Sequence, residues 1–357
     1  MVLATKLKLP SGKHSGPVTL EMVAQLAGVS PSTVSRILNG TAVVSDDKKQ
    51  AVETAIAELG FVPNPVARGL AGGRTFSIGV ITQAIDSPFY GAALRGIEDV
   101  LDPAGYSPLF VSGHWNADKE ARCIEVLRSR RVDGIIVLTG RLSDQALKTC
   151  AKSLPVVVTG RTLKAPGLFA LNFDNFEGGK LATQHLIALG HTQIAFIAGA
   201  PGHPDSEERM RGYLSALEDA GISYNPALTV TGEYHEGSGL AAVNLLLKAN
   251  QPFSAIFAAN DQMANGAALG LYRSGIRVPQ DISLVGFDDL PMSSYSNPPL
   301  STVHHPSQEL GRLAALAILE LLSGQKPKIS MPLPSLIARE SSAKIVADSK
   351  KTIGNSK

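Results

Sequence analysis

Residues 18–40 read VTLEMVAQLAGVSPSTVSRILNG, and the spacing within this stretch predicts two short helices joined by a tight turn. Thr19 is placed to cap the first helix, and Leu20, Val23, Ala24 and Ala27 recur on one face at helical spacing. Gly28 ends it where a positive φ is cheap, and Val29 puts an apolar side chain into the turn. Ser30 caps the second helix and Pro31 opens it, where its missing N–H costs nothing. Val34, Ile37 and Leu38 then face inward, which leaves Ser32, Thr33, Ser35 and Arg36 outward. A helix that reads DNA must enter a groove roughly 12 Å wide with its first side chains on base edges. Short hydroxyls and one flanking arginine suit base and phosphate contact, so the stretch predicts a helix-turn-helix. The same periodicity would also serve two amphipathic helices of an ordinary helical domain.

Outward from this pair, Ser45 is placed to cap a third helix, SDDKKQAVETAIAELG. Asp46 and Asp47 fall in its first turn, and Val52, Ala55, Ile56 and Leu59 form its inward stripe. Residues 18–62 thus form a domain of about 45 residues, close to the lower limit for a single core. Next comes FVPNPVARGLAGG, in which Asn64 and Pro65 start a very short helix over residues 63–74 that is marginal alone in water. Residues 1–17 read as a loose tail. The charge is uneven: residues 1–74 carry eight Lys and Arg against five Asp and Glu, a net +3 in a chain whose total is +2. A basic head on a near-neutral body suits one domain on a polyanion and another on something else.

From residue 75 the periodicity changes to short apolar runs alternating with helices, beginning FSIGVIT, YSPLFVSG, VDGIIVLTG and LPVVVTG. It resumes after KAPGLFALNFDN with TQIAFIAGA, ALTVTGEY, SAIFAAN and DISLVGFDD, then a long helix, SQELGRLAALAILELLSG, and a closing strand. That alternation predicts two α/β units in tandem with parallel sheets. Such sheets bind ligands beyond the carboxyl ends of their strands. The residues there include Asp86, Phe89, Trp115, Thr139, Arg141, Thr159 and Arg161, then Arg209, Tyr234, Asn260, Asp261, Asp288 and Asp289. Carboxylates, an amide, guanidiniums and rings suit a small polyhydroxylated ligand.

The stretch TLEMVAQLAGVSPSTVSRILNG, followed at the right distance by FVPNPVARGLAGG, resembles the headpiece of the LacI/GalR family of bacterial transcriptional repressors, and the resemblance extends over nearly the whole chain. It rests on Thr33, Val34, Ser35, Arg36, Asn39, Asn64, Pro65, Val66, Ala67 and Leu70, while Pro31 and Ser32 fall at the family's variable reading positions. The resemblance implies a helix-turn-helix headpiece and hinge helix joined to a periplasmic-binding-protein-like body of two lobes, the last long helix returning to the first lobe. It implies operator DNA as partner, with contacts from Thr19, Ser30, Pro31, Ser32, Thr33, Ser35, Arg36, Asn39, Asn64, Ala67, Arg68 and Leu70. Leu70 stands where the family wedges a leucine into the minor groove, a device that exchanges base stacking for a bent site. It further implies a homodimer and an effector, expected to be a sugar, held by Asp86, Phe89, Trp115, Arg161, Arg209, Tyr234, Asn260 and Asp288. Several relatives carry Asp where this chain has Thr159, so Arg161 could supply charge for an anionic ligand; a purine or anionic corepressor is the alternative.

Domain limits are therefore expected at 18–62, 63–74 and 75–340. Lobe 1 would span about 75–160 plus 292–323, lobe 2 about 161–291 plus 324–340, with a disordered tail over 341–357 that lacks a leucine heptad repeat. No enzyme is expected, since a P-loop, a dinucleotide-binding GxGxxG after a strand and a GxSxG elbow are all missing. A stand-alone sugar-binding protein would leave the headpiece unexplained. No cofactor or metal is expected: Cys123 and Cys150 lack metal spacing, and His304–His305 have no third ligand nearby in sequence. His191 reads as structural. No apolar run reaches the roughly 18 residues of a membrane span, and the first residues lack a signal-peptide core, so a cytoplasmic, nucleoid-associated protein is expected.

Overall fold

The computed structural model describes residues 18–38, 44–62 and 74–345, which divide between two compact units, residues 1–76 and 77–357. In the first unit α1 (Leu20–Leu26), α2 (Pro31–Leu38) and α3 (Asp46–Leu59) enclose Val23, Ala24, Val34, Val52 and Ala55. The caps are local: Thr19 Oγ1 accepts the Met22 N–H at 3.4 Å, and Ser30 Oγ accepts the Thr33 N–H at 3.2 Å. Gly28 and Gly60 take left-handed φ values of 65° and 62° at the ends of α1 and α3. Ser45 departs from expectation. It has the extended backbone of an N-cap, but its side chain makes no capping bond; Asp46 and Asp47 supply the favourable charge of that first turn instead.

The second unit has two sheets. The first, in lobe 1, is wholly parallel and contains β1 (Ser77–Thr82), β2 (Ser107–Ser112), β3 (Gly134–Val137), β4 (Val156–Thr159) and β5 (Leu168–Leu171), in the order β2-β1-β3-β4-β5. It is accompanied by α4 (Pro88–Leu101), α5 (Ala117–Ser129) and α6 (Asp144–Ala151). Lobe 2 contains β6 (Ile194–Ala198), β7 (Thr229–Thr231), β8 (Ala255–Ala258), β9 (Ser283–Asp288), β10 (Ser301–His304) and β11 (Ser335–Ile337), ordered β11-β10-β9-β8-β6-β7, with β11 antiparallel to β10. Its helices are α7 (Asn175–Ala188), α8 (Pro204–Asp219), α9 (Glu236–Lys248) and α10 (Asp261–Arg273). The central strands GIIV and VVVT are buried at every residue, which is why they read as unbroken apolar runs.

Two lobe boundaries move from those expected. Residues 168–171 form β5 beside β4, so residues 161–171 stay with lobe 1. Residues 301–304 form β10 beside β9, so the chain stays in lobe 2 to about residue 305. In both places strand follows strand with no α-helix between, and strand–helix alternation therefore gives no signal. The chain then crosses back: α11 (Ser307–Leu322) packs on α4 of lobe 1 before β11 rejoins lobe 2. The two helices meet through glycines, since a Cβ on Gly311 would overlap the Ala93 carbonyl and one on Gly96 the Gln308 carbonyl. The disordered tail expected over 341–357 does not begin at residue 341, and residues 346–357 lie outside the described residues. Ser341 is buried; its hydroxyl donates to the Leu284 carbonyl at 2.6 Å and accepts the Ser301 N–H at 2.7 Å. His191 lies 2.8 Å from Ser254 Oγ and 3.1 Å from the Ala343 carbonyl. These anchors are polar and backbone-mediated, so apolar periodicity does not reveal them.

Asp261, at the start of α10, is fully buried. Its carboxylate accepts the Leu290 N–H at 2.8 Å and the hydroxyls of Ser293 and Thr302 at 2.6 Å each, tying α10 to the turn after β9. Burial outweighs these donors and raises its pKa to about 6.

Two outcomes follow. Gly311→Ala should destabilise the second unit by about 1–3 kcal/mol through overpacking, read as a lower urea midpoint with an unchanged slope. For Asp261, the folded-state pKa lies above the ordinary 3.8, so its stability contribution is complete below about pH 3.8 and is lost as pH rises through about 6. At ~1.4 kcal/mol per unit this amounts to about 3 kcal/mol. The unfolding free energies of wild type and Asp261→Asn should change relative to one another by that amount across this window and run parallel at higher pH.

Candidate functional site

The outer surface of α2 carries the first candidate site. Thr19, Ser30, Pro31, Ser32 and Arg36 are exposed, and Thr33 and Ser35 half-buried. Ser30 Oγ lies 2.9 Å from Ser32 Oγ and 2.8 Å from Thr33 Oγ1, and Arg36 Nε donates to the Ser32 carbonyl at 3.3 Å. The N-terminal turn of α2 thus presents a hydroxyl cluster and a guanidinium held along the helix. Asn39, Asn64, Ala67, Arg68 and Leu70 lie outside the described residues.

The second candidate site is a cavity of about 520 Å³ between the lobes. Lobe 1 contributes Asp86, Phe89, Tyr90 and Trp115 from the segments after β1 and β2; lobe 2 contributes His203, Asp205, Arg209, Tyr234, Asn260 and Asp288. Arg209 lies beneath its floor, only 3% exposed. Its Nε donates to Asn175 Oδ1 at 2.9 Å, Nη1 donates to the Ala259 carbonyl, and Nη2 sits 3.8 Å from Asp288 Oδ1. The guanidinium also lies 3.7 Å from the centre of the Phe287 ring. Burial pushes the Asp288 carboxyl well above the usual range, opposed by Arg209, and raises Asp205 in the same way.

Three cavity residues hold left-handed backbones: Trp115 (φ 53°), Tyr234 (φ 64°) and Asp288 (φ 110°). Each costs on the order of 1–3 kcal/mol, strain that concentrates at ligand clamps. The Tyr234 ring passes over Gly199, where a Cβ would collide with it. Asn260 caps α10, its Oδ1 accepting the Met263 N–H at 2.9 Å and its Nδ2 donating to the Tyr234 carbonyl at 3.1 Å.

Arg161 does not line this cavity. It borders a separate hollow of about 810 Å³, where Nη1 pairs with Asp144 at 3.2 Å and Nη2 donates to the Gly140 carbonyl. A residue just past a strand end can turn toward either side of the sheet, and here Asp144 draws it away. Thr159 is buried and uncharged, its Oγ1 accepting the Thr139 N–H at 2.9 Å. Among the described residues Arg209 is thus the one guanidinium in the cavity wall.

Sequence reading passed over His203 and Asp205. Both follow β6, in the segment GAPGHPDS, so the strand-end rule that found their neighbours reaches them too. His203 is buried between the rings of Trp115 (4.0 Å) and Tyr234 (4.7 Å), and burial lowers its pKa to about 3, aided by Arg209 and Arg141. His305 stacks on Phe173 at 3.9 Å, while His304 Nδ1 lies 2.9 Å from Asp289. No cluster of three or more His, Cys, Asp or Glu suited to a metal occurs among the described residues, and none of their helices is long and apolar enough to cross a membrane.

Comparison with known proteins agrees with this architecture. Residues 19–64 match the family described as bacterial regulatory proteins, lacI family, and residues 183–342 match a periplasmic binding protein-like domain. The chain is 33% identical to the HTH-type transcriptional repressor PurR of Aliivibrio fischeri over 330 residues, 90% of this chain and 98% of that protein. It is 38% identical to the ribose operon repressor of Escherichia coli over 299 residues, 83% of this chain and 90% of that one. Among solved structures, the lac repressor dimer bound to operator and the anti-inducer ONPF superposes with a TM-score of 0.83 at 32% identity, covering 92% of this chain and all of that one. A complex of the transcriptional regulator CelR with cellobiose gives 0.68 at 34% identity, covering 91% and 100%. With a helix-turn-helix headpiece, a two-lobed body and relatives matched over most of their length, the chain belongs to the LacI family of DNA-binding transcriptional regulators.

Proposed function

We propose that this regulator is a homodimeric repressor released from its operator by an uncharged, polyhydroxylated effector bound between the lobes. The observation that carries this reading is the cavity's charge balance. Its one guanidinium is already engaged by Asn175, Ala259 and Asp288; the other charged groups of its wall are the carboxylates Asp86, Glu233 and Glu236, while burial favours the neutral acids of Asp205 and Asp288. An anion would meet repulsion there, whereas sugar hydroxyls would find carboxylate acceptors and ring faces to lie against. Arg161, the cation that would have favoured an anionic ligand, sits outside. A flat neutral heterocycle acting as corepressor is the second reading, favoured by the ring walls Phe89, Trp115 and Tyr234.

In the proposed mechanism α2 enters the major groove of each half-site, and the hinge segment with Leu70 enters the minor groove between them. The effector favours one interlobe angle, and the linker leading into β1 carries that change to the paired hinges. This is a coupling free energy between two sites, so operator and effector must weaken one another's binding reciprocally.

Arg209→Ala should abolish the effector response while operator affinity stays within a few-fold. Fluorescence anisotropy on operator DNA, with and without sugars, reads both; equal loss of both would make Arg209 merely structural. Leu70→Ala should weaken operator binding far more than binding to random DNA, and an unchanged specificity ratio would remove the wedge from the mechanism.

A further inference from the structure

The underside of lobe 1, where its strands begin, is unevenly charged. There α5 ends in the run LRSRRVDG, residues 127–134. Leu127 and Val132 are buried and pin this run to the lobe, while Arg128, Arg130 and Arg131 are exposed. The end of α6 lies beside it. Leu127 shares a core with Cys150 and Ala151 of α6, and the Arg128 charge reaches the Cys150 thiol, opposing the upward push of burial. From α6 come the half-buried Lys148 and the exposed Lys152. Five cations thus gather at two adjoining helix ends, against Asp133 and, one turn back on α5, Glu125. Among the described residues Arg128, Arg130 and Lys152 form no ion pair. The ordinary preference for cations at helix C-termini does not account for the patch. On the same underside α4 closes with Glu98, Asp99 and Asp102. The patch also sits where the chain enters this unit: the Asp133 N–H donates to the Ser77 carbonyl at 2.8 Å, at the start of β1, into which residues 74–76 lead from the headpiece.

We infer that the ends of α5 and α6 form a second, sequence-independent DNA contact, in which Arg128, Arg130 and Lys152 bind backbone phosphates of the duplex flanking the site read by α2. The inference rests on the headpiece binding DNA and is independent of what the effector is. Cations exposed together on one surface release counterions from a duplex whatever its sequence. For the lobe alone such contact is weak. Joined by the chain to a headpiece already on its site, the patch meets flanking phosphate at a high effective concentration. A duplex attracts the ends of α5 and α6 and repels the acidic end of α4, so the division of charge also selects which part of the underside it meets.

The test uses the full chain and duplex DNA carrying a site that the protein itself selects from a random-sequence pool. Two lengths are compared by fluorescence anisotropy across a salt series: the site alone, and the site extended on each side by about ten base pairs, one helical turn. Wild type should bind the extended duplex more tightly. The double variant Arg128→Gln, Arg130→Gln should lose about three- to ten-fold on the extended duplex, and its slope of log affinity against log salt should fall by about 2. On the short duplex it should match wild type, which shows at once that the headpiece still binds and that the chain is folded. Charge reversal, Arg128→Glu with Arg130→Glu, should lose more on the extended duplex and again leave the short one alone. Equal wild-type affinity for both lengths, or an unchanged slope in the Gln variant, overturns the inference while leaving the headpiece's binding intact. Equal losses on both lengths overturn it as well, since the arginines would then act through the headpiece. Poly-L-glutamate is titrated in parallel; variants that lose it but keep the wild-type DNA slope would assign the patch to an acidic protein instead.

Discussion

A guanidinium withdrawn from water stays charged only if its donors and its charge are met on several sides at once. Arg209 meets that condition with four partners drawn from three elements: Asn175 at the start of α7, the Ala259 carbonyl past β8, and Asp288 at the end of β9 with the Phe287 ring beside it. The carboxyl ends of the lobe 2 strands are thereby fixed relative to α8, which carries Arg209. The cavity floor is a consequence of that arrangement. Remove the guanidinium and Asp288, already pushed well above its usual range, has no cation left to hold its charge.

Around this floor the walls are preorganised at a cost. Trp115, Tyr234 and Asp288 all sit in backbone conformations that favour glycine, and each is held by neighbours: Trp115 through Gln83, Tyr234 through Asn260, and the Asp288 turn through Asp261. Local strain of this kind persists only where surrounding bonds over-determine it. The result is a cleft whose polar groups are fixed before any ligand arrives, which lowers the entropy cost of binding. Lobe 1 and lobe 2 meet over it through tilted ring contacts, Trp115 with His203 and Phe89 with His305, and through the Arg141–Pro201 hydrogen bond, contacts light enough to rearrange.

Chain connectivity serves the same end. The polypeptide passes between lobes three times, after β5, after β10 and after α11. Because α11 packs on α4 through glycines at backbone contact, lobe 1 cannot slide against its own crossover helix without opening that seam. Relative motion is left to the three connecting segments, where shear or hinge movement costs least.

The headpiece was legible from sequence because everything that forms it is local. Caps at Thr19 and Ser30, the glycine turn at Gly28 and helical stripes on three short segments all lie within a few residues of what they stabilise. The parallel strands of the two sheets were legible too, since a strand buried on both faces has no choice but to be apolar throughout. Side-chain direction was not. Arg161 and Arg209 look equally suited to a ligand as text, yet only the packed structure sends one to Asp144 and the other beneath the cleft. Likewise β5 and β10 lacked the helix that would have announced them, and the polar anchoring of residues 341–345 and the clamp on His203 join residues far apart in the chain. Sequence alone determined which segments fold and on which face they are apolar, because that information is periodic and short-range; tertiary structure decided which polar groups meet, because burial and partner geometry exist only once distant segments are brought together.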